Sequence, residues 1–437
     1  MTAIAGLAVG GGRPLLEGAE HRSWPDISPA DRRAVDRALE RGVTAGPNAP
    51  EIRALEEEYA AYVGVRHCVA TGSGTSSLHS ALAAVGVRPG GEVIVPAYTF
   101  VASALAAVHQ GADVVFCDVE PRSFNLDPTR LERLVTDRTQ AIMAVHIHGE
   151  PADMDAVTAV AERHGIPVVE DNSQAHGIRY RGRRTGSIGA TAGASINQSK
   201  NLSGGEGGLF TSDDDEHAHV TRRMVLYGED VLPGVPRPYW SHGVGWNYRG
   251  QEMVCALTRS QLRRLDDYNA RAEENAARLT AGLSGIGGIE PPRPRADSGC
   301  SYWKYPLRIK PEELGFAGDR RDLRDRILQA LQAEGVEACI WQPQPVPAQP
   351  VFRRPVQVWH PRTEAVRLRP WDPAAYPVAS ALCDTTLSLG TVHRPLYVQE
   401  PALMDRYVQA VEKVLSDLDT LFSFSFQPYP RMVDAPC

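Results

Sequence analysis

From about residue 66 the chain alternates short apolar runs with amphipathic stretches, and this alternation limits the fold more than any other feature of the sequence. Segments 66–71, 92–96, 113–119, 141–146 and 167–171 read as buried strands, with helical patterns at 76–87, 101–110, 128–135 and 154–164 between them. Strand and helix in this order imply an α/β domain, a parallel sheet with helices on both faces. Two further strand candidates, 193–197 and 208–212, flank a Gly-rich segment that contains a lysine. A long polar helix pattern at 261–283 and a Pro-rich linker at 291–297 lead to a smaller α+β region. There Leu323, Ile327, Leu328 and Leu331 lie at helical spacing within 322–334, and Gly335 stops the pattern. The stretch 342–377, dense in Pro, Arg and aromatic residues, reads as an irregular loop excursion. The expected organisation is an N-terminal segment 1–45, a large domain 46–290 and a small domain 291–437.

A content of 43% hydrophobic and 23% charged residues is that of a soluble globular protein. The net charge of -7 gives no basic field for nucleic acid or anionic lipid, so neither partner is expected. No apolar run is long enough to span a membrane, and residues 1–12 lack a basic flank followed by an apolar stretch, so cytoplasmic residence is expected. Seven scattered cysteines, without a CxxC pair or metal-ligand spacing, read as reduced thiols, and no metal is expected. Only four of the 46 basic residues are lysine (Lys200, Lys304, Lys310 and Lys413). A chain that otherwise uses arginine keeps lysine in a Gly-rich loop for chemistry that a permanently protonated guanidinium cannot do.

Three constellations carry that chemistry. Residues 71–76 (TGSGTS) join a strand to a helix, where small residues let backbone N–H groups and hydroxyls close on a phosphate at the helix N-terminus. The same turn also suits a simple helix N-cap. Residues 170–174 (EDNSQ) end a strongly apolar strand, the place where α/β folds put ligand-binding groups. Pyridoxal phosphate needs an acid there to keep its pyridine nitrogen protonated, and Asp171 is the candidate. Gln174 would donate to the ring's phenolate oxygen. A loop carboxylate capping the next helix is the other reading of Asp171. Residues 195–208 (SINQSKNLSGGEGG) place Lys200 in a loop whose glycines permit close packing around a flat ring. A desolvated lysine readily loses its proton and forms an imine, whereas a lone loop lysine is ordinarily solvated surface.

The ordered motifs resemble one family. Gly46-Pro47 with Leu55-Glu56, residues 74–79 (GTSSLH), 95–100 (VPAYTF), 170–177 (EDNSQAHG), the SxxxxK element at 195–200, 205–208 (GEGG) and 245–249 (GWNYR) are similar to the DegT/StrS family of pyridoxal-phosphate-dependent sugar and cyclitol aminotransferases. A weaker match at 376–379 and 387–389 reaches the small domain. The resemblance implies the fold of the type I pyridoxal-phosphate enzymes: a large domain with a mostly parallel central sheet covered by helices, and a smaller α+β C-terminal domain. It implies that Lys200 forms the imine with pyridoxal 5'-phosphate and shuttles the proton, that Asp171 pairs with the pyridine nitrogen, and that Phe100 stacks on the ring. Gly74, Thr75 and Ser195 would hold the phosphate. Asn247, otherwise a β-turn residue, would reach the neighbouring subunit's cofactor in an obligate homodimer with two composite sites.

The sequence departs from the family's pattern at Ile196, where an aromatic residue is usual, and at 339–345 (CIWQPQP) in the small domain. Gln198-Ser199 is more similar to the cyclitol-aminating branch than to the nucleotide-sugar branch. The expected reaction is transfer of an amino group from glutamate or glutamine to a keto-sugar or keto-cyclitol in natural-product biosynthesis. The rivals are a pyridoxal-phosphate dehydratase, whose relatives replace the lysine with histidine, and a cofactor-binding regulatory protein without turnover.

Overall fold

The computed structural model describes residues 6–42, 45–46, 49–231, 235–353 and 372–430. Pro47 and Cys437, as well as residues 354–371 of the Pro/Arg/Trp stretch, lie outside them. Two helices, α1 (Pro29–Glu40) and α2 (Pro50–Val63), precede the first strand. The chain then runs β1 (His67–Thr71), α3 (Gly74–Ala84), β2 (Glu92–Pro96), α4 (Val101–His109), β3 (Asp113–Cys117), β4 (Thr139–Val145), α5 (Met154–His164) and β5 (Val168–Asp171). A hairpin of β6 (Arg179–Tyr180) and β7 (Arg183–Arg184) follows, then β8 (Thr191–Ser195), β9 (Gly208–Ser212), α6 (Asp215–Val225) and α7 (Glu252–Leu262).

Seven of these strands form one sheet in the order β1-β9-β8-β5-β4-β2-β3. Neighbours pair in parallel except β9, which is antiparallel to both β1 and β8. Alternation along the strands sends side chains to two separate cores. Val93 and Val95, Val114 and Phe116, and Met143 and Val145 pack with α3 and α4, while Ile94, Val115, Ile142 and Ala144 pack with Met154, Val157 and Ala161 of α5. Burial on both faces is what makes these strands near-continuous apolar runs.

The rest of the chain contains α8 (Leu265–Leu283), β10 (Ile289–Glu290), β11 (Tyr305–Ile309), α9 (Arg320–Ala333), β12 (Ala338–Cys339), α10 (Pro377–Thr385), β13 (Thr386–Leu389), α11 (Pro401–Ser416) and α12 (Leu418–Ser423). Its sheet is antiparallel, in the order β10-β11-β13-β12. Leu279 and Leu283 of α8 share its core with Leu323 and Ile327 of α9 and Met404 and Val411 of α11. Leu7 and Leu16 from the N-terminal segment enter the same core. They are strapped there by Glu334, which accepts from the N–H groups of Ala8 and Leu15 and pairs with Lys413 at 2.8 Å.

Two local expectations differ from the structure. The helix expected over 128–135 is only a single 3-10 turn, Pro128–Arg130, capped by Asp127. The pattern at 261–283 is not one helix: α7 ends at Leu262 and α8 begins at Leu265. The central sheet is mostly parallel, as expected; its antiparallel member is β9, because the lysine loop returns the chain beside β8 in the opposite direction. Val346 and Phe352 of the irregular stretch pack into the α3/α4 side of the large core.

Candidate active site

The carboxyl ends of β1, β2, β5 and β8 deliver their following loops to one edge of the sheet, where open α/β folds bind ligands. A cavity of about 420 Å³ opens there, lined by Gly74, Thr75, Phe100, Asp171, Gln174, Ser195 and Lys200. Four loops of widely separated sequence therefore meet. Asn247 does not line this cavity. It lines an adjoining one of about 520 Å³, and Ser73 is common to both.

At one end stands the N-terminus of α3. Ser73 and Ser76 form a reciprocal capping box that satisfies the N–H of Ser76 and of Ser73 itself. The N–H groups of Gly74 and Thr75, at the first helical positions, have no intrahelical acceptor and carry the positive end of the dipole. Gly74 is required by space: a Cβ there would lie 2.5 Å from Cβ of Ser195. Ser195 in turn is held by Ser173, whose hydroxyl accepts from its N–H at 3.0 Å.

Of the two adjacent carboxylates that end β5, alternation sends only Asp171 toward the cavity. Glu170 is wholly buried behind the sheet. Burial pushes its pKa upward, but His146 at 2.9 Å and the N–H groups of Gly186, Ile188 and Gly189 hold it below the usual carboxylate range. Asp171 accepts from the Ser103 hydroxyl at 2.8 Å and from the Ser173 N–H at 3.1 Å, and these two donors fix the plane of its carboxylate. Gln174 accepts the His148 N–H on Oε1 at 2.7 Å, which leaves its amide nitrogen as the donor end.

Lys200 sits in the loop between β8 and β9. Burial pushes its amine down to about 8, Asp171 opposes the shift and Lys304 adds to it. Its Nζ lies 4.2 Å from the centre of the Trp303 ring, whose indole N–H donates to the Ser199 carbonyl at 2.7 Å. Beneath the loop, His176 donates from Nε2 to the Ser195 carbonyl at 2.8 Å and accepts the Tyr59 hydroxyl on Nδ1, also at 2.8 Å. A neutral ring is what this pair of partners needs, and burial pushes its pKa down to about 4.

Phe100, the residue before α4, is 56% exposed and lines the cavity. Facing residues include Trp303, Trp341 and Val392 from the small domain, and Asn197 and Glu206 from the lysine loop. The sequence singles out neither Ser103 nor Trp303, whereas Trp341 falls in the 339–345 stretch, where a substrate-facing element is expected. Trp303 lies 103 residues beyond Lys200, and only the tertiary fold joins them; Trp303 stands two residues before β11 and Trp341 two residues after β12.

The donor set fits pyridoxal phosphate. The arrangement offers an anion site at a helix N-terminus, a carboxylate for a ring nitrogen, an open aromatic face and a desolvated amine at the far end. Gly74 leaves the cradle clear where any Cβ would fill it.

A family model, that of the DegT/DnrJ/EryC1/StrS aminotransferase family, matches residues 25–391. The chain is 34% identical over 428 residues to an L-glutamine:2-deoxy-scyllo-inosose aminotransferase of Micromonospora echinospora, covering 94% of this chain and 98% of that one. It is 39% identical over 285 residues to a GDP-perosamine synthase of Caulobacter vibrioides, covering 65% of this chain and 74% of the relative. The crystal structure of 3-amino-5-hydroxybenzoic acid synthase superposes with a TM-score of 0.80 at 28% identity, covering 91% of this chain and 99% of that chain.

Proposed function

The chain belongs to the DegT/DnrJ/EryC1/StrS aminotransferase family, whose members use pyridoxal phosphate, and from that premise we propose that it aminates a keto-sugar or keto-cyclitol in a natural-product pathway, with glutamate or glutamine as donor. The observation that carries the reading is the convergence of Lys200, Asp171 and the α3 N-terminus on one cavity. When bound, pyridoxal phosphate supplies an electron-withdrawing ring that stabilises negative charge at the substrate carbon bearing the amine.

Each side chain then has a task. Asp171, oriented by Ser103 and Ser173, holds the proton on the ring nitrogen. The N–H groups of Gly74 and Thr75, with the Ser195 hydroxyl, bind the phosphate. Gln174 donates to the phenolate oxygen and Phe100 covers one face of the ring. Lys200, neutral once its depressed pKa is passed, accepts and returns a proton at Nζ. Aromatic walls at Trp303 and Trp341 with polar groups at Asn197, Ser199 and Glu206 suit a polyol ring: its C–H faces pack on indole and its hydroxyls pair at the rim.

The homodimer belongs to the same proposal. On the segment that carries Asn247, Trp240 is 70% and Val244 91% exposed, with Tyr239, Trp246 and Met253 also open. An exposed apolar patch of this kind supports a protein partner, and Asn247 within it supports a contribution to the partner's phosphate end. Cytoplasmic residence is also part of the reading; among the described residues no helix is long and apolar enough to cross a membrane.

The test is to incubate the holoenzyme with glutamine or glutamate carrying ¹⁵N at the α-amino group, together with a panel of keto-sugars and keto-cyclitols. The expected result is ¹⁵N in an amino-sugar or aminocyclitol product. Conversion of the donor with labelled amine appearing only on small keto acids would overturn the acceptor class.

A further inference from the structure

The four lysines divide into two pairs. Lys310 lies 3.2 Å from Glu313, and Lys413 lies 2.8 Å from Glu334, so each has a carboxylate partner. The other two converge on one indole: Nζ of Lys200 is 4.2 Å and Nζ of Lys304 is 5.1 Å from the centre of the Trp303 ring. Lys304 immediately precedes β11, is only 2% exposed, and has no carboxylate within 4 Å among the described residues. Burying an ammonium without a counter-ion is costly, and an apolar residue would serve packing better. The indole accounts for part of its retention, because a ring face attracts a cation.

We propose that Lys304 is a positioning residue for Lys200: a buried cation that shares the Trp303 ring with it and disfavours a second ammonium there, so that Lys200 gives up its proton more readily. The proposal rests on the reading of Lys200 as the imine-forming residue. A neighbouring cation is a known physical route to an active lysine, because two like charges in a dry site resist each other. The groups around the pair agree with this. Lys200 faces Asp171, which favours its charged form, and His176, which burial keeps neutral. Burial lowers the Lys304 amine as well; it faces the Cys339 thiol, itself raised by burial, and His148, which burial and Lys304 push down to about 3. Asp171 therefore draws a proton onto Lys200, and Lys304 is the one cation in the cluster that opposes it. Trp303 also ties the pair to the loop through the Ser199 carbonyl.

The scarcity of lysine makes the test direct. Protein labelled with [ε-¹³C]lysine gives four side-chain signals, and the Lys200→Arg variant assigns one of them by its loss. In the cofactor-free wild type, Lys304 is expected to retain the shift of a charged amine while Lys200 titrates near 8. Lys304→Met should raise the Lys200 midpoint, leaving the part of the depression that burial causes, and Lys304→Arg should restore the lower midpoint. In the loaded enzyme, Lys304→Met should move the pH dependence of kcat/KM upward. Circular dichroism confirms that each variant is folded.

A neutral Lys304 at pH 7 in the wild type would overturn the proposal without recourse to any variant. So would a Lys200 midpoint unmoved in folded Lys304→Met or Lys304→Gln. Either outcome would leave the transamination reading intact, since Lys200 would still be reducible onto the cofactor. Loss of that reduction is the separate result that would remove the reading itself.

Discussion

The Ser103 hydroxyl donates to Oδ2 of Asp171 at 2.8 Å, so the first turn of α4 aims the acid that ends β5. Ser103→Ala removes that donor from a buried carboxylate and leaves the Ser173 N–H as its remaining partner. The expected effect is a modest one, about 1–3 kcal/mol against the oriented carboxylate, read as a slower half-reaction with glutamate. Asp171→Asn should fall much further, by about 10²-fold or more, with cofactor occupancy preserved because the phosphate contacts remain. Equal rates in wild type and Asp171→Asn, measured by single-turnover absorbance, would assign Asp171 to structure alone.

Gly74 and Ser195 are packed without room for a methyl group. Gly74→Ala should cost about 1–3 kcal/mol through overpacking and weaken pyridoxal phosphate binding, because relief requires β8 to move away from the helix N-terminus. Gly285→Ala, at a position with open space, is the control and should lie within about 0.5 kcal/mol of wild type. Thermal denaturation and cofactor titration of both variants decide the matter; indistinguishable values would show that the cradle tolerates a Cβ.

Lys200 titrates near 8 in the folded chain, below the 10.5 of an ordinary lysine. From about pH 8 to about 10.5 the unfolded cofactor-free chain therefore holds one more proton than the folded one, and linkage makes stability rise with pH across that window. Below pH 8 both states are protonated and the slope from this residue vanishes. Lys200→Met should lack the rise. Urea denaturation of the two proteins at several pH values checks the sign: parallel curves would mean that Lys200 has an ordinary pKa.

Much of the fold was legible because both faces of the central sheet are buried, so Val93 to Val95, Val114 to Phe116 and Ala141 to Val145 announce themselves as apolar runs. Direction is not written in such a run, and nothing in Gly208–Ser212 says that β9 returns antiparallel to β8. The segment 128–135 has helical spacing at Leu131 and Leu134, but only the single turn 128–130 forms, where the Asp127 carboxylate accepts from the Thr129 N–H. The site was legible where its residues fall in short motifs at strand ends, as at Gly74, Asp171 and Lys200. Trp303 and Lys304 were not, because they reach the cavity or its rear wall through packing of the small domain on the large one, a relationship without a local pattern. The role of Ser103 was hidden for a similar reason: a serine in a first helical turn is ordinary until the neighbouring strand brings Asp171 to it.

Asn247 adjoins the site without lining its own chain's Lys200 cavity, as a residue serving a second subunit should. Mixing Lys200→Ala with Asn247→Ala protein and allowing subunit exchange should create hybrid dimers with one intact site and one site carrying both lesions. Activity should recover toward about a quarter of wild type at equal mixing, given random symmetric association. If exchange is verified by mass spectrometry and the mixture gains nothing over its parents, Asn247 acts within its own subunit.

The central claim is that Lys200, and no other lysine, carries pyridoxal phosphate. Borohydride reduction of the holoenzyme followed by peptide mapping tests it at the level of a single covalent bond. The account predicts the phosphopyridoxyl group on Lys200 alone, with Lys200→Arg folded, unlabelled and inactive; label on Lys304, Lys310 or Lys413 with Lys200 unmodified would contradict it.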